Sequence, residues 1–300
     1  MPAYDPAGKS ILVTGAARGI GAESARQLAR RGARLSLVGL EPELLERLAS
    51  ECGPDAVWFE ADVTDPGALE HAVGETVERL GGIDVAVANA GIAAGGTVLR
   101  SEMSSIEQVL DVNLVGAIRT LKLCLPHVLE RGGYLLPVAS LAAIGPAPAL
   151  SAYSAAKAGL ENFANSLRLE VRPLGVDVGV AYFAWIDTDM VRGGDEHRDF
   201  RYLRGRLKGP MAKTHPVSKA GAAIVRGIER RQRWVAFPAW IKPGILIRGI
   251  LPFLTEGQLR EADLRELDRL AAEEAERLGA EATAPVGAGG EAARRSAAVR

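Results

Sequence analysis

Residues 11–21 read Ile-Leu-Val-Thr-Gly-Ala-Ala-Arg-Gly-Ile-Gly, an apolar run that passes directly into a glycine-rich turn. Glycines 15, 19 and 21 permit a tight turn and a close approach of the backbone to a pyrophosphate. A helical pattern from Ile20 to Arg31 brings free N–H groups and the positive end of a helix dipole to the same point. An ordinary βα turn is the alternative, but the position between a first strand and a long helix favours a phosphate cradle.

Further apolar runs recur along the chain, and longer helical patterns separate them. Together with the first strand they occupy residues 11–14, 34–38, 57–60, 85–88, 134–138, 176–181 and, more weakly, 234–237. The runs are continuously apolar instead of alternating, which is typical of strands that are covered on both faces. Residues 8–237 are therefore predicted to fold as one α/β domain with a doubly wound, Rossmann-like parallel sheet.

The composition changes on either side of this domain. Residues 1–7 form a short N-terminal arm. Residues 238–278 combine an apolar segment with a charged helix, so the domain carries a C-terminal helical extension that is interpreted as a lid or an interface. Residues 279–300 contain too little apolar surface to offset the entropy of ordering, and a disordered tail is predicted there.

Charge and cysteine content exclude several classes of function. The 300 residues include 36 Lys and Arg against 37 Asp and Glu, and the formal charge of −1 gives no reason to expect nucleic acid as a partner. Cys52 and Cys124 lie far apart without a Cys/His cluster, which argues against a metal site. The N-terminus does not resemble a secretory signal, so a reducing, cytoplasmic location is expected.

In doubly wound folds ligands bind beyond the carboxyl ends of the strands. A carboxylate after the second strand favours a free ribose 2′-hydroxyl, whereas a basic side chain favours a 2′-phosphate. Gly39 stands at the expected carboxylate position, and Glu41 is interpreted as a solvent-facing acid at the start of the next helix. Arg18 in the glycine loop is placed to meet a 2′-phosphate. The balance favours NADP(H) slightly over NAD(H).

Two further strand ends carry polar or small residues. Asp62, followed by Val63, either accepts a hydrogen bond from an adenine amino group or caps the next helix, and the spacing leaves both roles open. Asn89-Ala90-Gly91 lets the backbone approach a ribose. The Asn89 side chain is also suited to tie neighbouring strands together.

The chemistry is predicted at Tyr153 and Lys157, on a helix that follows a Pro/Gly-rich loop. Residues four apart lie on one face of a helix, so the two polar tips converge. A nearby ammonium favours the phenolate form of a phenol whose ordinary pKa is about 10, which makes it usable as an acid/base. Ser140, after the fifth strand, is placed to hold a substrate oxygen against the phenol. Taken alone, Tyr153 and Lys157 also fit a solvent-facing pair on an ordinary helix.

Together these motifs resemble the short-chain dehydrogenase/reductase family over roughly residues 8–237. The motifs are Thr14-Gly-x-x-x-Gly-x-Gly21, Asp62, Asn89-Ala-Gly91, Asn113, Ser140 and Tyr153-x-x-x-Lys157. Without the resemblance, Asn113 is interpreted as a polar residue on the surface of a helix.

The resemblance implies an NAD(P)-dependent oxidoreductase with Tyr153 as general acid/base and Ser140 as the residue that orients the substrate. It implies that Lys157 binds the nicotinamide ribose and lowers the Tyr153 pKa, while Asn113 holds a water of the proton relay. The implied cofactor contacts are Thr14, Gly15, Ala17, Arg18, Gly19, Ile20, Gly21, Asp62, Val63, Asn89, Ala90, Gly91, Tyr153, Lys157, Ile186 and Thr188.

The chain departs from the family pattern after the sixth strand, where Phe183-Ala184 replaces the common Pro-Gly. The physical consequence is a bulkier, more apolar wall beside the nicotinamide. The substrate, a carbonyl compound or secondary alcohol, is expected to contact the segments 141–150 and 188–211 and the C-terminal extension.

The apolar stretch 234–254 leaves three alternatives open: a lid over the active site, a subunit interface, or a peripheral contact with a bilayer through residues 238–254. Prolines and the charges of Lys242 and Arg248 argue against a membrane span. A lid would imply a lipophilic substrate, and the family resemblance implies a homo-oligomer. Rival interpretations of the chain are a non-catalytic nucleotide-binding scaffold and a redox-neutral epimerase or dehydratase.

Overall fold

A parallel sheet forms the centre of the molecule in the computed structural model, which describes residues 4–253 and 260–299. Among these residues, six strands pair in the order β3-β2-β1-β4-β5-β6, and two more, β7 and β8, pair with each other. A parallel bridge from Val138 to Ala181 joins the two groups. The strands are β1 (Ser10–Thr14), β2 (Arg34–Gly39), β3 (Val57–Glu60), β4 (Val85–Ala88), β5 (Tyr134–Pro137), β6 (Asp177–Val178), β7 (Val180–Phe183) and β8 (Trp234–Phe237).

Helices cover both faces of this sheet, which confirms the predicted doubly wound α/β fold. They are α1 (Gly19–Ala29), α2 (Pro42–Cys52), α3 (Pro66–Leu80), α4 (Met103–Leu110), α5 (Ala117–Glu130), α6 (Ser151–Val171), α7 (Asp189–Glu196), α8 (Arg198–Arg206), α9 (Val217–Glu229), α10 (Ile241–Ile247), α11 (Glu261–Leu278) and α12 (Gly287–Val299). The strand order reverses between β1 and β4, and a crevice for a ligand is expected at their carboxyl ends.

The core is divided by the sheet into two layers of buried side chains. In β1, Leu12 belongs to the cluster that includes Leu121 of α5 and Leu160 of α6, whereas Ile11 belongs to the opposite cluster with Leu28 of α1. Successive side chains of a strand point to opposite faces, and both faces here are apolar. This burial on both sides explains the continuous apolar runs in the sequence.

The sixth predicted strand, residues 176–181, is interrupted at Gly179 and continues to Phe183. A Cβ at Gly179 would lie 2.1 Å from the Tyr134 hydroxyl oxygen and 2.2 Å from the carbonyl oxygen of Gln232. Those two groups are joined by a hydrogen bond of 2.6 Å that the Tyr134 hydroxyl donates. The interruption therefore makes room for a contact between β5 and the residues before β8.

Residues 103–130 form one continuous helix, in which Asp111–Gly116 is wound as a π-helix between α4 and α5. By length and apolar composition it is the one helix in the described part of the chain that could cross a membrane. Leu121, Cys124 and Val128 are completely buried in the core of the domain. The apolar composition is therefore explained by packing against the sheet.

The C-terminal segment differs from the disorder that its composition predicts. Residues 279–283 form a 3-10 turn and residues 287–299 form α12. Thr283, Ala292 and Ala293 are 4–5% exposed. Glycines and alanines offer little apolar area, but they let this helix approach the rest of the protein closely. Composition alone does not reveal this close packing. Residues 1–3 of the arm, residues 254–259, of which the first ends the apolar stretch, and residue 300 lie outside the described residues.

Candidate active site

The loop after β1 has the geometry of an anion cradle. Gly15 has a φ of +64°, and a Cβ there would lie 2.7 Å from Cα of Ala90. A Cβ at Gly21 would lie 2.3 Å from the carbonyl oxygen of Gly15. Helix α1 begins at Gly19 without a side-chain cap and without an acid in its first turn, so its first N–H groups remain available to an anion.

Thr14 and Asn89 hold the ends of β1 and β4 together, as expected for Asn89. The Asn89 side-chain amide donates to the carbonyl oxygens of Thr14 and Gly15 at 3.0 and 3.1 Å, and the Thr14 hydroxyl accepts from the backbone N–H groups of Asn89 and Ala90. Thr14 is fully buried. Neither Thr14 nor Gly21 lines the cavity described below, and both support the loop from behind.

Asp62 follows β3 and faces the same crevice. One carboxylate oxygen accepts from the backbone N–H and the hydroxyl of Thr64 at 2.8 and 2.7 Å, and the other accepts from the hydroxyl of Ser296 in α12. The N-cap of α3 is Asp65, whose side chain accepts from the N–H of Ala68. Of the two roles that the spacing left open for Asp62, capping is therefore taken by another residue.

Arg18 lies between two carboxylates at the rim of the crevice. Its guanidinium donates to both carboxylate oxygens of Glu41 and to Asp189 at 2.8 Å. These contacts hold the pKa of Arg18 well above its ordinary value, chiefly through the hydrogen bond with Glu41. Glu41 is the N-cap residue of α2, and its side chain is 16% exposed. The interpretation of Glu41 as a solvent-facing acid is therefore wrong, because Arg18 draws it into the crevice.

Gly39, the last residue of β2, lines the crevice beside Arg18. A Cβ at this position would lie 3.5 Å from Cδ2 of Leu45 and 3.6 Å from Cβ of Ala17. These are ordinary van der Waals distances.

Ser140, Tyr153 and Lys157 meet at the carboxyl end of β5. The Ser140 side chain lies beside the Tyr153 phenol, and Ser140 Oγ accepts from the N–H of Ala142 at 3.2 Å. Burial raises the pKa of the Tyr153 phenol, and the Ser140 hydroxyl opposes that shift. The solvent-facing alternative for Tyr153 and Lys157 is excluded, since Lys157 is 3% exposed and both line the cavity.

Lys157 is held from the sheet side. Its ammonium donates to the carbonyl oxygen of Val138 at 2.9 Å and lies 5.6 Å from the centre of the Tyr153 ring. Burial lowers the Lys157 pKa to about 8. This group can therefore gain or lose its proton close to neutral pH.

Asn113 is completely buried, in contrast to the surface position that the pattern alone indicated. Its amide nitrogen donates to the carbonyl oxygens of Ile92 and Val109 at 2.8 Å each. Its Oδ1 has no hydrogen-bond partner among the described residues, and a Cβ at Gly91 would lie 2.6 Å from it and 3.3 Å from Nζ of Lys157. The π-helical turn at Asp111–Gly116 carries this polar side chain into the interior, which a regular helical period does not anticipate.

One cavity of about 1160 Å³ connects all these groups. Sequence-predicted residues that line it are Gly15, Ala17, Arg18, Gly19, Ile20, Asp62, Val63, Asn89, Ala90, Gly91, Asn113, Ser140, Tyr153, Lys157, Ile186 and Thr188. Beyond Tyr153 the wall is mainly apolar and comes from the segments expected to contact substrate, with Leu141, Ile144, Leu150, Trp185, Met190, Phe200, Leu203, Met211, Trp240, Ile247 and Leu251. The cavity thus has a glycine-rich polar half and an apolar half.

Three features of the site were not predicted. Glu41 and Asp189 bind Arg18 from elements that are distant in sequence, and α12 lines the cavity through Gly289, Gly290, Ala292 and Ala293. The charge of Glu41 was a sequence signal for a partner of Arg18. Small residues in a terminal segment, by contrast, give no sequence signal for a place in the cavity wall. Among the described residues there is no group of three or more His, Cys, Asp or Glu side chains that could hold a metal ion.

Comparison with known proteins identifies the family. The sequence pattern of the family described as short chain dehydrogenase matches residues 9–199. The chain belongs to the short-chain dehydrogenase family. It is an NAD(P)-dependent oxidoreductase. Its cavity fits a nicotinamide dinucleotide, because the uncapped start of α1 at Gly19 lines it and Asn113 Oδ1, which has no partner among the described residues, lies near Gly91 and Lys157.

Relatives within this family have related names. The chain is 30% identical over 256 residues to "11-beta-hydroxysteroid dehydrogenase-like 2" of Arabidopsis thaliana, covering 83% of this chain and 80% of the relative. It is 32% identical over 267 residues to "11-beta-hydroxysteroid dehydrogenase 1A" of the same plant, covering 83% and 74%. Both matches extend well beyond the residues of the family pattern.

Solved structures of other short-chain dehydrogenases share the fold. A short chain dehydrogenase/reductase from Burkholderia phymatum in complex with NAD superposes with a TM-score of 0.73 at 19% identity, covering 83% of this chain and 95% of that one. Levodione reductase superposes with a TM-score of 0.70 at 26% identity, covering 77% and 95%.

Proposed function

We propose that this dehydrogenase interconverts a lipophilic ketone and its secondary alcohol, with Tyr153 as the acid/base. The observation that carries the proposal is the meeting of Ser140, Tyr153 and the buried Lys157 in the wall of one cavity that has both a glycine-rich and an apolar half. When bound, the nicotinamide supplies or accepts the hydride at the substrate carbon. Side chains of the protein bind the substrate oxygen and transfer the proton.

Ser140 and Tyr153 act on the substrate oxygen. In reduction the Ser140 hydroxyl donates a hydrogen bond to the carbonyl oxygen, and the Tyr153 phenol transfers its proton to that oxygen as charge develops on it. In oxidation the phenolate takes the proton back from the alcohol. Because burial raises the Tyr153 pKa, the phenol is protonated at neutral pH in the absence of ligand and is ready for reduction.

Lys157 acts on Tyr153 and on the cofactor. Its ammonium, in the cavity beside Gly91, is placed to bind a ribose hydroxyl, and its charge favours the phenolate that forms after proton transfer. The Oδ1 atom of Asn113 is placed to accept a hydrogen bond from a water that passes a proton onward from Lys157.

The apolar half of the cavity supports the substrate class. Trp185 and Phe200 pack edge to face with ring centres 5.7 Å apart, and Trp240 and Leu251 line the same half from the C-terminal extension. A rigid apolar wall of this kind favours a ring-containing or acyl substrate over a small polar one. The names of the curated relatives point to a steroid-like substrate.

The surroundings of Arg18 bear on the choice between NADH and NADPH. The slight preference for NADP(H) depended on Arg18, but both Glu41 and Asp189 engage that guanidinium. A 2′-phosphate would have to displace Glu41 and would be repelled by its carboxylate, whereas a 2′-hydroxyl can donate to it. We therefore propose tighter binding of NADH than of NADPH, with a Glu41→Gln variant shifted toward NADPH in a fluorescence titration. Tighter NADPH binding by the wild type would contradict this.

We also propose that the apolar segment 238–254 contacts either a bilayer or a second copy of this chain. Leu246, Ile250 and Phe253 are 53–74% exposed beside the apolar half of the cavity, which supports either peripheral contact of 238–254 with a bilayer or burial in a homo-oligomer. We propose a cytoplasmic location, as expected from the sequence.

The test of the proposed reaction compares wild type, Tyr153→Phe and Tyr202→Phe. Cofactor binding is measured by fluorescence, and turnover of steroid ketones, long-chain ketones and short-chain ketones is measured by nicotinamide absorbance. We expect turnover of the lipophilic ketones, a decrease of about 10²–10⁴-fold in kcat for Tyr153→Phe with NADH binding retained, and wild-type rates for Tyr202→Phe. Tyr202 is a matched control because its hydroxyl bonds Asp263 and it does not line the cavity.

Other results would replace the proposal. Unchanged turnover by Tyr153→Phe would remove the acid/base role. Cofactor binding without turnover of any of these ketones would favour the nucleotide-binding scaffold, and product formation without net absorbance change would favour an epimerase or dehydratase.

A further inference from the structure

The C-terminal segment crosses the crevice that holds the predicted adenosine contacts. It is anchored at Thr283, whose carbonyl oxygen accepts from the hydroxyl of Ser105. Pro285 forms an antiparallel bridge with Ala94, and the N–H of Val286 donates to the carbonyl oxygen of Ala93 at 2.9 Å. The segment thus continues from the residues after β4 toward α7 before α12 begins.

The start of α12 fits against α7 with little space. A Cβ at Gly193 of α7 would lie 2.5 Å from the backbone nitrogen of Gly287. Gly287 has a φ of +71°, and a Cβ there would lie 2.5 Å from the carbonyl oxygen of Asp189, a residue that also binds Arg18. The helix start is therefore docked beside the charged rim of the crevice.

The other end of α12 reaches Asp62. The Ser296 hydroxyl donates to one carboxylate oxygen of Asp62, and Thr64 donates to the other. A cofactor whose adenine amino group bonds Asp62 would bind beside Ser296. The end of α12 and the adenosine end of a cofactor therefore meet at one carboxylate.

Between these two ends α12 lines the cavity with small side chains. Gly289 lies beside Arg18, with a built Cβ 3.6 Å from its Cδ, and Ala293 belongs to the buried cluster that contains Val63 and Ile92. Gly289, Ala292 and Ala293 line the same cavity as the glycine loop and Asn89, so open space remains beneath the helix.

We propose that α12 is the gate of the cofactor site: it covers the adenosine half of the crevice, opens to let the cofactor pass and closes again over the bound cofactor. The inference rests on the proposed cofactor binding and adds to that site the face of α12 that carries Gly289, Ala292, Ala293 and Ser296. In the structure α12 covers this half of the crevice, so a cofactor cannot pass there unless the helix moves away. Because the cavity continues under the helix, closing again is compatible with a bound cofactor.

A gate has a kinetic signature. If opening limits passage in both directions, loss of the gate accelerates association and dissociation together and changes the Kd little. A helix that only competes with the cofactor would affect association alone. A clamp that forms only after binding would affect dissociation alone.

The experiment measures association and dissociation of NADH by stopped-flow fluorescence. The variants are a chain without residues 287–300, Ser296→Asp, and Ala297→Asp as the matched control. Ser296→Asp places a carboxylate against Asp62, whereas Ala297 is exposed on the same helix and receives the same charge. Circular dichroism and thermal unfolding verify that each variant is folded, and Ser296→Asp provides the test if the shortened chain does not fold.

We expect both rate constants to rise roughly tenfold in the shortened chain and in Ser296→Asp, and neither to change in Ala297→Asp. A rise in only one rate constant, or in neither, would overturn the gate. A wild-type protein that binds neither NADH nor NADPH would instead remove the proposed function, which is a different observation from unchanged rates.

Discussion

Lys157 combines a charge with nearly complete burial. Removing an ammonium from water disfavours its charged form, and a single carbonyl oxygen, that of Val138, accepts from it among the described residues. The lowered pKa of about 8 is the result. The residue that prepares Tyr153 for proton transfer thus titrates itself about one pH unit above neutrality.

This position predicts a pH dependence of cofactor binding. Below pH 8 Lys157 is charged before the cofactor arrives, whereas above its pKa the ligand-free protein must first take up a proton. The Kd of NADH is therefore expected to be constant from pH 6.5 to 7.5 and to rise above pH 8 by up to about tenfold per pH unit. Fluorescence titrations at fixed ionic strength measure this.

Two variants separate Lys157 from general pH effects. Lys157→Met is expected to bind more weakly at pH 7 and to show no rise above pH 8, whereas Lys122→Met, with an exposed side chain on α5, keeps the wild-type profile. A flat profile in wild type, or the same rise in Lys157→Met, would show that another group controls binding.

Individual residues differ in how far the sequence predicted them. Ser140, Tyr153 and Lys157 were found because their spacing and order form a recognisable set, and the structure brings them together. Glu41 was misjudged because its partner Arg18 is 23 residues earlier in the chain. Asn113 was misjudged without the family resemblance because a helical period of 3.6 does not describe a π-helical turn.

At the scale of elements, β1, the glycine loop and α1 form a unit whose geometry depends on missing side chains. A Cβ at Gly21 would lie 2.3 Å from the Gly15 carbonyl oxygen and 2.7 Å from Nδ2 of Asn89. Either the loop or the bridge between β1 and β4 must then move. Gly74, inside α3, has open space where its Cβ would be.

Gly21→Ala and Gly74→Ala therefore have opposite expected effects. Gly21→Ala should lower the free energy of unfolding by about 1–3 kcal/mol and abolish NADH binding. Gly74→Ala should raise it by about 0.5–1 kcal/mol and leave binding unchanged, because alanine is the better helix former. Urea unfolding and fluorescence titration measure both. NADH binding by Gly21→Ala at wild-type affinity would mean that the loop does not depend on close packing.

Secondary elements of the sheet could be predicted because β-branched apolar runs and helical periods alternate strongly. The densely charged segment 188–211, which the sequence indicated only as a substrate contact, contains α7 and α8. Its charges pair with one another and with α11, as in Arg204–Asp195 and Arg198–Glu273. Local polarity therefore concealed helices whose apolar contacts, such as Phe200 and Leu203, are few and distant in sequence.

At the scale of the whole molecule, the C-terminal extension is tied to the catalytic helix by an ion pair. Arg248, after α10, donates to Glu161 of α6, and the Glu161 side chain is 3% exposed while that of Arg248 is 46% exposed. Removing Arg248 would leave a buried carboxylate without this cation. The pair thus connects the segment that lines the apolar half of the cavity to the helix that carries Tyr153.

Arg248→Ala is expected to lower the free energy of unfolding by about 1–3 kcal/mol, less than for a fully buried pair because the arginine is partly solvated. Arg248→Ala combined with Glu161→Gln should recover part of this loss, since the amide carries no charge. Arg265→Ala, which removes a pair with Glu261 that is exposed on both sides, should change it by less than about 0.5 kcal/mol. Equal losses in Arg248→Ala and Arg265→Ala would show that burial of Glu161 has no energetic consequence.

The long-range arrangement of the chain was the least accessible part of the prediction. Periodicity describes neighbours within an element, whereas the docking of α12 depends on complementary small surfaces at Gly193 and Gly287 that lie 94 residues apart by their numbers. The composition of residues 279–300 indicates how little apolar area they offer. It does not indicate which surface of the protein they pack against.

The space beside Gly39 has a consequence for how this protein can change over generations. A side chain can be added at the end of β2 without displacing Leu45 or Ala17. A single codon that encodes aspartate there would introduce a second acid beside the Glu41 carboxylate, at the place where a ribose is discriminated. One mutation at Gly39 would therefore strengthen the discrimination against a 2′-phosphate, while Ser140, Tyr153 and Lys157, more than 100 positions further along the chain, stay unchanged.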